Sequence, residues 1–314
     1  MTAMKPVRVG VVGTGMMGNF HLRTYAAMKE VELVGVFDVD AERAEKIAAQ
    51  YNCQAFTDLD ALAAEVEAVS VVTPSVTHAD VGSRLLAKKV PCLIEKPLAT
   101  TEEDCQKLIN TAKENQVVLA VGHIERFNPA VDKLSQILKN NQPEIQAIDA
   151  RRMSLASARI TDVDVVEDLM IHDIEVVMSL MNSPVTAVRA QGFADGHDHA
   201  SALLKFANNA FANVTASRIT KDRIRTLDVM TDAGHFALDY IGQTLELRLP
   251  GSPVLEANVS TVQNNISVFA EPPLLLELRH FIDCVQNNKE PRVSGEQALE
   301  ALRVVWQVQK ALKG

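Results

Sequence analysis

Val7-Arg8-Val9-Gly10-Val11-Val12-Gly13-Thr14-Gly15-Met16-Met17-Gly18 is the stretch on which the fold turns. Val7 to Val12 is a short β-branched run, the pattern of a strand covered on both faces in a parallel sheet. The run stops in a glycine-rich turn, and a helix is predicted to open at Gly18. Gly13 permits the tight turn, Gly15 lets the backbone approach a pyrophosphate, and Gly18 permits close packing of helix on strand. Glycine-rich turns also occur without a ligand, so the triplet needs its context. Here it follows a strand, opens a helix, and precedes Asp38 at the end of a second predicted strand, Glu32 to Phe37. A carboxylate there accepts hydrogen bonds from an adenosine ribose, so the three elements together specify a dinucleotide site. Asp38 repels a 2′-phosphate, and Val39 and Asp40 supply no adjacent arginine, which favours NAD over NADP. Arg43 is the residue that opposes that reading. Met16 and Met17, beside the phosphate turn, fill space next to the cofactor.

Outward from this stretch, short β-branched runs alternate with helical patterns through residue 123, the signature of parallel strands joined by helical crossovers. Further strands are predicted at Ala68 to Val72, Cys92 to Ile94 and Val117 to Val121, with helices at Ala41 to Tyr51, Val76 to Lys88 and Thr101 to Asn115. A Thr100-x-x-Glu103 capping box announces the last helix. The expected fold class is α/β, with residues 1–123 as an N-terminal Rossmann domain built on a doubly wound parallel sheet. After Phe127-Asn128-Pro129 the texture changes. A helix to about Lys139, a strand near Ile145 to Met153 and a helix from Val165 to Met181 lead into closely spaced strands between Val185 and Leu249. Turns as short as Asn208-Asn209 and Ala233-Gly234 imply a mainly antiparallel open sheet. With helices at Glu271 to Asn287 and Ser294 to Leu312, residues 124–314 form a second α/β domain. Trp306 and its apolar neighbours Val304, Val305 and Val308 fit a packed terminal helix.

Composition narrows the partners. At 314 residues, 47% hydrophobic and 23% charged, the chain is long enough for two domains and has no disorder signature. A formal net charge of −9 argues against nucleic acid. The apolar run Val9 to Val12 is too short for a membrane span or a signal peptide, so no membrane partner is expected and the cytoplasm is the expected location. Cys53, Cys92, Cys105 and Cys284 are far apart in sequence and read as free thiols, and no metal site is expected.

Two constellations carry chemistry. In Cys92-Leu93-Ile94-Glu95-Lys96-Pro97, Pro97 disfavours helical geometry at Lys96, which places an ammonium at the carboxyl end of a buried strand. In open α/β sheets that edge binds ligands. In Asp168-Leu169-Met170-Ile171-His172, the acid and the imidazole are four residues apart and share a helix face. His172 is a natural acceptor for a hydroxyl proton, with Asp168 orienting it, although a surface pair or a satisfied core histidine has the same spacing.

These motifs together resemble the Gfo/Idh/MocA family of NAD(P)-dependent sugar and cyclitol oxidoreductases. The match rests on Gly13-x-Gly15-x-x-Gly18, Thr73-Pro74-Ser75 followed by His78, Glu95-Lys96-Pro97 and Asp168-x-x-x-His172. Gly122 to Pro129 marks the domain junction. The resemblance implies an EC 1.1.1-type dehydrogenase in which Lys96 holds and polarises the reacting hydroxyl, His172 is the general acid/base and Asp168 supports both. It implies that Thr73, Pro74 and His78 line the nicotinamide side, with Ser75, Glu95 and Lys96 in the same cofactor-binding set. It also implies that the second domain binds substrate and, through its open sheet, makes a homodimer or homotetramer.

Two departures stand out. Val165-Val166-Glu167 replaces glycines common before Asp-x-x-x-His, which alters the backbone approach to substrate, and Lys88-Lys89 replaces a common Gly-Lys turn. Arg218, Lys221, Arg223 and Arg225 form a basic cluster in an acidic chain, and 221, 223 and 225 share a face if extended. Such a face could grip a diphosphate, or be a solvated edge. The sequence from Gly122 to Pro129 and that from Asp168 to Asp173 resemble the versions in the family's bacterial UDP-N-acetylglucosamine 3-dehydrogenases. That resemblance implies a nucleotide-sugar substrate oxidised at C3, Arg126, Asn128 and Arg225 among its contacts, and a downstream aminotransferase. The alternatives are a myo-inositol or simple sugar dehydrogenase and a nonenzymatic NAD-sensing regulator.

Overall fold

Val7–Val12 forms β1, and its partners are parallel on both sides. The computed structural model describes residues 5–155, 164–193, 197–249 and 262–314. Two compact units emerge, Met1–His123 with Leu274–Glu300, and Ile124–Pro273 with Ala301–Gly314.

In the first unit β1, β2 (Val31–Phe37), β3 (Gln54–Phe56), β4 (Ala68–Val71), β5 (Cys92–Glu95) and β6 (Leu119–Gly122) make one parallel sheet in the order 3-2-1-4-5-6. This is the doubly wound order, whose reversal point lies between β1 and β4. Every residue of β4, β5 and β6 is buried, as expected for a sheet covered on both faces. The covering helices are α1 (Met16–Ala27), α2 (Ala41–Tyr51), α3 (Leu59–Glu65), α4 (His78–Ala87) and α5 (Glu102–Asn115). Helix α8 (Pro273–Asn287) returns late in the chain to bury Leu278, Phe281 and Ile282 against Val9, Leu22, Tyr25 and Leu93. Each buried Leu, Ile, Val or Phe among them contributes about 1.5–3 kcal/mol by leaving water.

Three local details differ from expectation. Helix α1 opens at Met16, two residues before Gly18. The cap of α5 is Thr101, whose hydroxyl accepts from the Asp104 amide at 3.1 Å, one residue later than the predicted box. β3 and α3 were not predicted, because three-residue and seven-residue elements show no periodicity. Asp58, which caps α3 by accepting from the Ala61 amide, was the available signal.

The second unit opens with α6 (Pro129–Asn141), capped by Asn128 and begun by proline at N1. Its eight-stranded sheet has the order 14-13-12-11-7-10-9-8. The strands are β7 (Ile145–Leu155), β8 (Val185–Phe193), β9 (His199–Phe206), β10 (Phe211–Ser217), β11 (Ile219–Thr231), β12 (Gly234–Asp239), β13 (Thr244–Leu249) and β14 (Val262–Ile266). All pairs are antiparallel except β7 with β10. Strand β9 shows the one-sided alternation: Ala200, Ala202, Leu204 and Phe206 are buried while Leu203 and Lys205 are exposed. A π-helical turn, Val166–Met170, leads into α7 (Ile171–Met181), which packs on β7 and β10. In α9 (Gly295–Leu312), Val304, Val305 and Val308 are buried, as the sequence predicted.

Candidate active site

The carboxyl edge of the first sheet gathers the predicted cofactor residues. Gly13 has φ 95°, and a Cβ there would lie 2.6 Å from the carbonyl oxygen of Val72. At Gly18 a Cβ would lie 2.0 Å from the carbonyl oxygen of Gly13, so helix and turn can meet only without a side chain. Gly15 is the N-cap of α1, makes no side-chain cap and faces open space, which leaves the first turn of α1 accessible to a pyrophosphate. The geometry fits a dinucleotide. Met17 packs against the core whereas Met16 is exposed, so only Met17 fills space as expected.

Asp38 is buried and densely bonded. Its Oδ2 accepts from the Thr14 amide at 2.7 Å and the Thr14 hydroxyl at 2.8 Å, and Oδ1 accepts from the Asp40 amide at 3.0 Å. Arg43 adds Nη2 to Oδ1 at 2.6 Å and Nε to Oδ2 at 3.3 Å. Burial raises this carboxyl, but the Arg43 guanidinium with the Asp40 and Thr14 donors outweighs it and holds the group at about 2.

Thr73, Pro74 and Ser75 follow β4, with Thr77 donating its hydroxyl to Thr73 Oγ1 at 2.8 Å. His78 opens α4. It is buried, and its Nε2 and Nδ1 lie 2.9 Å from the carbonyl oxygens of Thr73 and Pro97 respectively. The ring therefore ties the loop after β4 to the loop after β5. Lys96 directly follows β5 and is half-buried, and the Lys96–Pro97 peptide is cis. Glu95 turns inward: Oε2 accepts from the Lys96 amide at 3.1 Å and Oε1 pairs with His21 Nε2 at 3.1 Å. Glu277 of α8 is also buried here, with neither carboxylate oxygen hydrogen-bonded among the described residues. Burial, then the neighbouring Glu95, pushes its carboxyl well above the usual range.

In the second unit the motif Asp168-x-x-x-His172 straddles the π-turn and the start of α7, and both side chains are half-buried. Asp164 caps this segment in place of the glycines that are missing there. Its Oδ1 accepts from the Val166 amide at 3.0 Å and the Glu167 amide at 2.9 Å, and Gln309 donates to Oδ2 at 2.9 Å. Arg218 is buried and donates from Nη2 to Asp168 Oδ2 at 3.1 Å and to the Asp164 carbonyl at 3.4 Å. The basic cluster is thus divided, because Arg218 belongs to Asp168. Lys221 and Arg223 are exposed in a register break of β11, where Ile219 pairs with Leu155 and Ile224 with Met153. That break interrupts the alternation that would put 221, 223 and 225 on one face.

The proposed substrate contacts are also distributed. Arg126 donates to Glu175 Oε1 at 2.6 Å, and burial pushes the Glu175 carboxyl up to about 7 against the opposing pull of Arg126. Asn128 is buried, accepting from the Ala130 amide and donating to the Tyr240 carbonyl at 3.0 Å, so the structure uses it as a helix cap. Arg225 lies 3.9 Å from Glu125 beside a buried network that the sequence did not announce. At its centre Arg152 grips Asp173 with Nε and Nη2 at 2.7 and 2.9 Å, and donates from Nη1 to Glu125 at 2.8 Å. No group of three His, Cys, Asp or Glu side chains among the described residues is arranged to hold a metal.

Comparison with known proteins decides the family. Residues 7–123 match the Gfo/Idh/MocA oxidoreductase family's NAD-binding Rossmann fold, and residues 165–313 match its C-terminal alpha/beta domain. The chain is a Gfo/Idh/MocA oxidoreductase. As in the family, its Rossmann unit binds NAD. This oxidoreductase is 34% identical over 310 residues to the UDP-N-acetylglucosamine 3-dehydrogenase of Acidithiobacillus ferrooxidans, covering 98% of this chain and 97% of that one. The solved structure of that dehydrogenase superposes with a TM-score of 0.92 over 98% of both chains. This chain is also 26% identical to the scyllo-inositol 2-dehydrogenase (NAD(+)) of Bacillus subtilis, over 95% of its length and 92% of that protein's. The α/β fold expected from sequence, a parallel Rossmann sheet and a mainly antiparallel second sheet, is that of the Gfo/Idh/MocA proteins.

Proposed function

We propose that this oxidoreductase oxidises the C3 hydroxyl of a UDP-N-acetyl sugar to a ketone. Its near full-length likeness to a UDP-N-acetylglucosamine 3-dehydrogenase carries the reading. NAD, when bound, supplies the hydride acceptor. Lys96 holds and polarises the reacting hydroxyl, His172 takes its proton, and Asp168 supports both. Gly13, Gly15, Gly18 and Asp38 hold the dinucleotide, with Thr73 and Pro74 on its nicotinamide side. Arg225, half-buried and close to Glu125, is the cation of the basic cluster that takes the diphosphate. The ketone is the substrate of an aminotransferase. The exposed residues Leu203 and Phe211 on the outer sheet face support a homo-oligomer, and four free cysteines suit a reducing cytoplasm.

One observation favours a cyclitol instead: Arg218, a quarter of the basic cluster, is committed to Asp168. A single assay decides between them. The purified enzyme is incubated with NAD and either UDP-N-acetylglucosamine, free N-acetylglucosamine or myo-inositol, with an aminotransferase and amino donor as trap. The aminated nucleotide sugar is the expected product, and its absence under trapping would remove the substrate assignment.

A further inference from the structure

The last turn of α9 reaches the segment that carries the proposed acid and base. Val305 and Val308 are buried, and Gln309, half-buried, lies beside them on the edge of that packed face. Its side-chain amide donates to Asp164 Oδ2 at 2.9 Å, across 145 residues of chain. The other carboxylate oxygen of Asp164 accepts from the Val166 and Glu167 amides at 3.0 and 2.9 Å. Its carbonyl oxygen accepts from the Asp168 amide at 3.1 Å and from Arg218 Nη2 at 3.4 Å. Three consecutive amides, those of residues 166, 167 and 168, therefore hang from one residue.

Capping needs only one oxygen of such a carboxylate. The terminal torsion of an aspartate is broad, so a cap bonded at one oxygen can still swing. Gln309 takes the second oxygen and removes that freedom. Val165 and Val166 are fully buried, so the start of the π-turn is packed as well as capped. Asp168 lies in the middle of this turn and His172 in the first turn of α7, so a tilt of the cap is carried to both.

We propose that Gln309 is a positioning residue for the oxidation: by holding the second oxygen of Asp164, the last turn of α9 fixes the aim of Asp168 and His172. The proposal rests on the reading of those two residues as the acid and base pair.

The test is a charge-swap cycle on the whole enzyme, assayed with NAD and the sugar under trapping, over wild type, Gln309→Glu, Gln309→Lys, Asp164→Asn and the Gln309→Glu/Asp164→Asn double variant. Gln, Glu and Lys form helix about equally well, so α9 itself is little changed. Gln309→Glu removes the donor and sets a second carboxylate against Asp164. It should lower kcat by about 10-fold to 100-fold while calorimetric NAD affinity stays the same. Gln309→Lys keeps a donor and should lose less. In the double variant, Asp164→Asn keeps an oxygen for the Val166 and Glu167 amides and turns a donor toward position 309, which should restore most of the lost kcat. The end of a helix slightly disfavours an acid, and a loss from that cause would persist in the double variant. If Gln309→Glu folds poorly, Gln309→Leu removes the donor alone and should lower kcat in the same direction.

Equal losses in the single and double variants overturn the proposal, and so does a lowered melting temperature with kcat unchanged. Full turnover in His172→Ala overturns the reading of the pair and the proposal with it. The ring signal of His172 in protein labelled with carbon-13 histidine, identified by its loss in His172→Ala, reads the same geometry without turnover, so a wrong choice of sugar is told apart. It should move in Gln309→Glu and return in the double variant; a signal that stays in place overturns the proposal.

Discussion

Arg218 donates from Nη2 to Oδ2 of Asp168 at 3.1 Å, with the arginine buried and the acid partly open. The same nitrogen reaches the Asp164 carbonyl, so one side chain ties Asp168, in the middle of the π-turn, to a residue that precedes the turn. A buried guanidinium nitrogen bonded to both restricts where the carboxylate can sit. Arg218→Met is expected to lower kcat by about 10²-fold while leaving NAD affinity nearly intact. Arg218→Lys should recover part of the loss. Steady-state kinetics with calorimetric NAD binding checks this, and an unchanged kcat would detach Arg218 from the reaction.

Lys96→Met and His172→Ala address the proposed chemistry directly. Each should reduce turnover by about 10²–10⁴-fold, the usual contribution of a positioned proton-transfer group. NAD binding should persist because the phosphate turn and Asp38 are untouched. Full activity in either variant defeats the assigned role.

Arg152 offers a test of stability. It is buried with two carboxylates, Asp173 and Glu125, on its three nitrogens. Arg152→Met takes from both acids their hydrogen-bonded cation and leaves only Arg225, 3.9 Å from Glu125, at a cost of about 3–5 kcal/mol. Urea unfolding monitored by circular dichroism measures the loss, and a change near zero would show that the network relaxes around a neutral side chain.

Glu277 predicts a pH dependence with a definite sign. Its folded carboxyl titrates well above the unfolded value of 4.5, because burial and then Glu95 oppose the charge. Between those two values the native state holds a proton that the unfolded chain has released, so this group lowers stability as pH rises above the unfolded value. Glu277→Gln removes the effect. Near pH 5 the variant should match wild type, and from pH 6 to 8 it should become relatively more stable, by up to about 1.4 kcal/mol per pH unit. Melting curves across that range give the answer, and parallel curves would place an ionised Glu277 in the fold.

Lys89 adopts φ 61° in the turn between α4 and β5, while Lys88 keeps φ −87°. The left-handed residue is therefore the second lysine. Lys89→Gly should stabilise the protein by roughly 0.5–1 kcal/mol, less whatever glycine loses in chain entropy. A lower melting temperature would mean that the lysine side chain outweighs its backbone strain.

Much of the first unit was legible because its signals are local. A β-branched run, three glycines and an acid at the end of the next strand all fall within about thirty residues of chain, and their order alone specifies a Rossmann turn. The short β3 and α3 escaped, since periodicity needs more residues than they have. In the second unit the strands were legible from alternation and tight turns. The pairing was not: β10 lies parallel to β7, some 60 residues earlier, while β11 covers the other side of β7.

The sequence by itself determined the dinucleotide turn, the alternation of helices and strands, and the positions of Lys96, Asp168 and His172, because backbone preference and side-chain periodicity act over one or two turns of chain. Only the tertiary structure decided that Asp38 is hydrogen-bonded to Arg43, that Asp168 is braced by Arg218 and that Arg152 and Glu277 sit inside the fold. Those are encounters between charged groups, most of them distant in sequence, and burial fixes their strength. Neither the encounter nor the burial is written in any local stretch of residues.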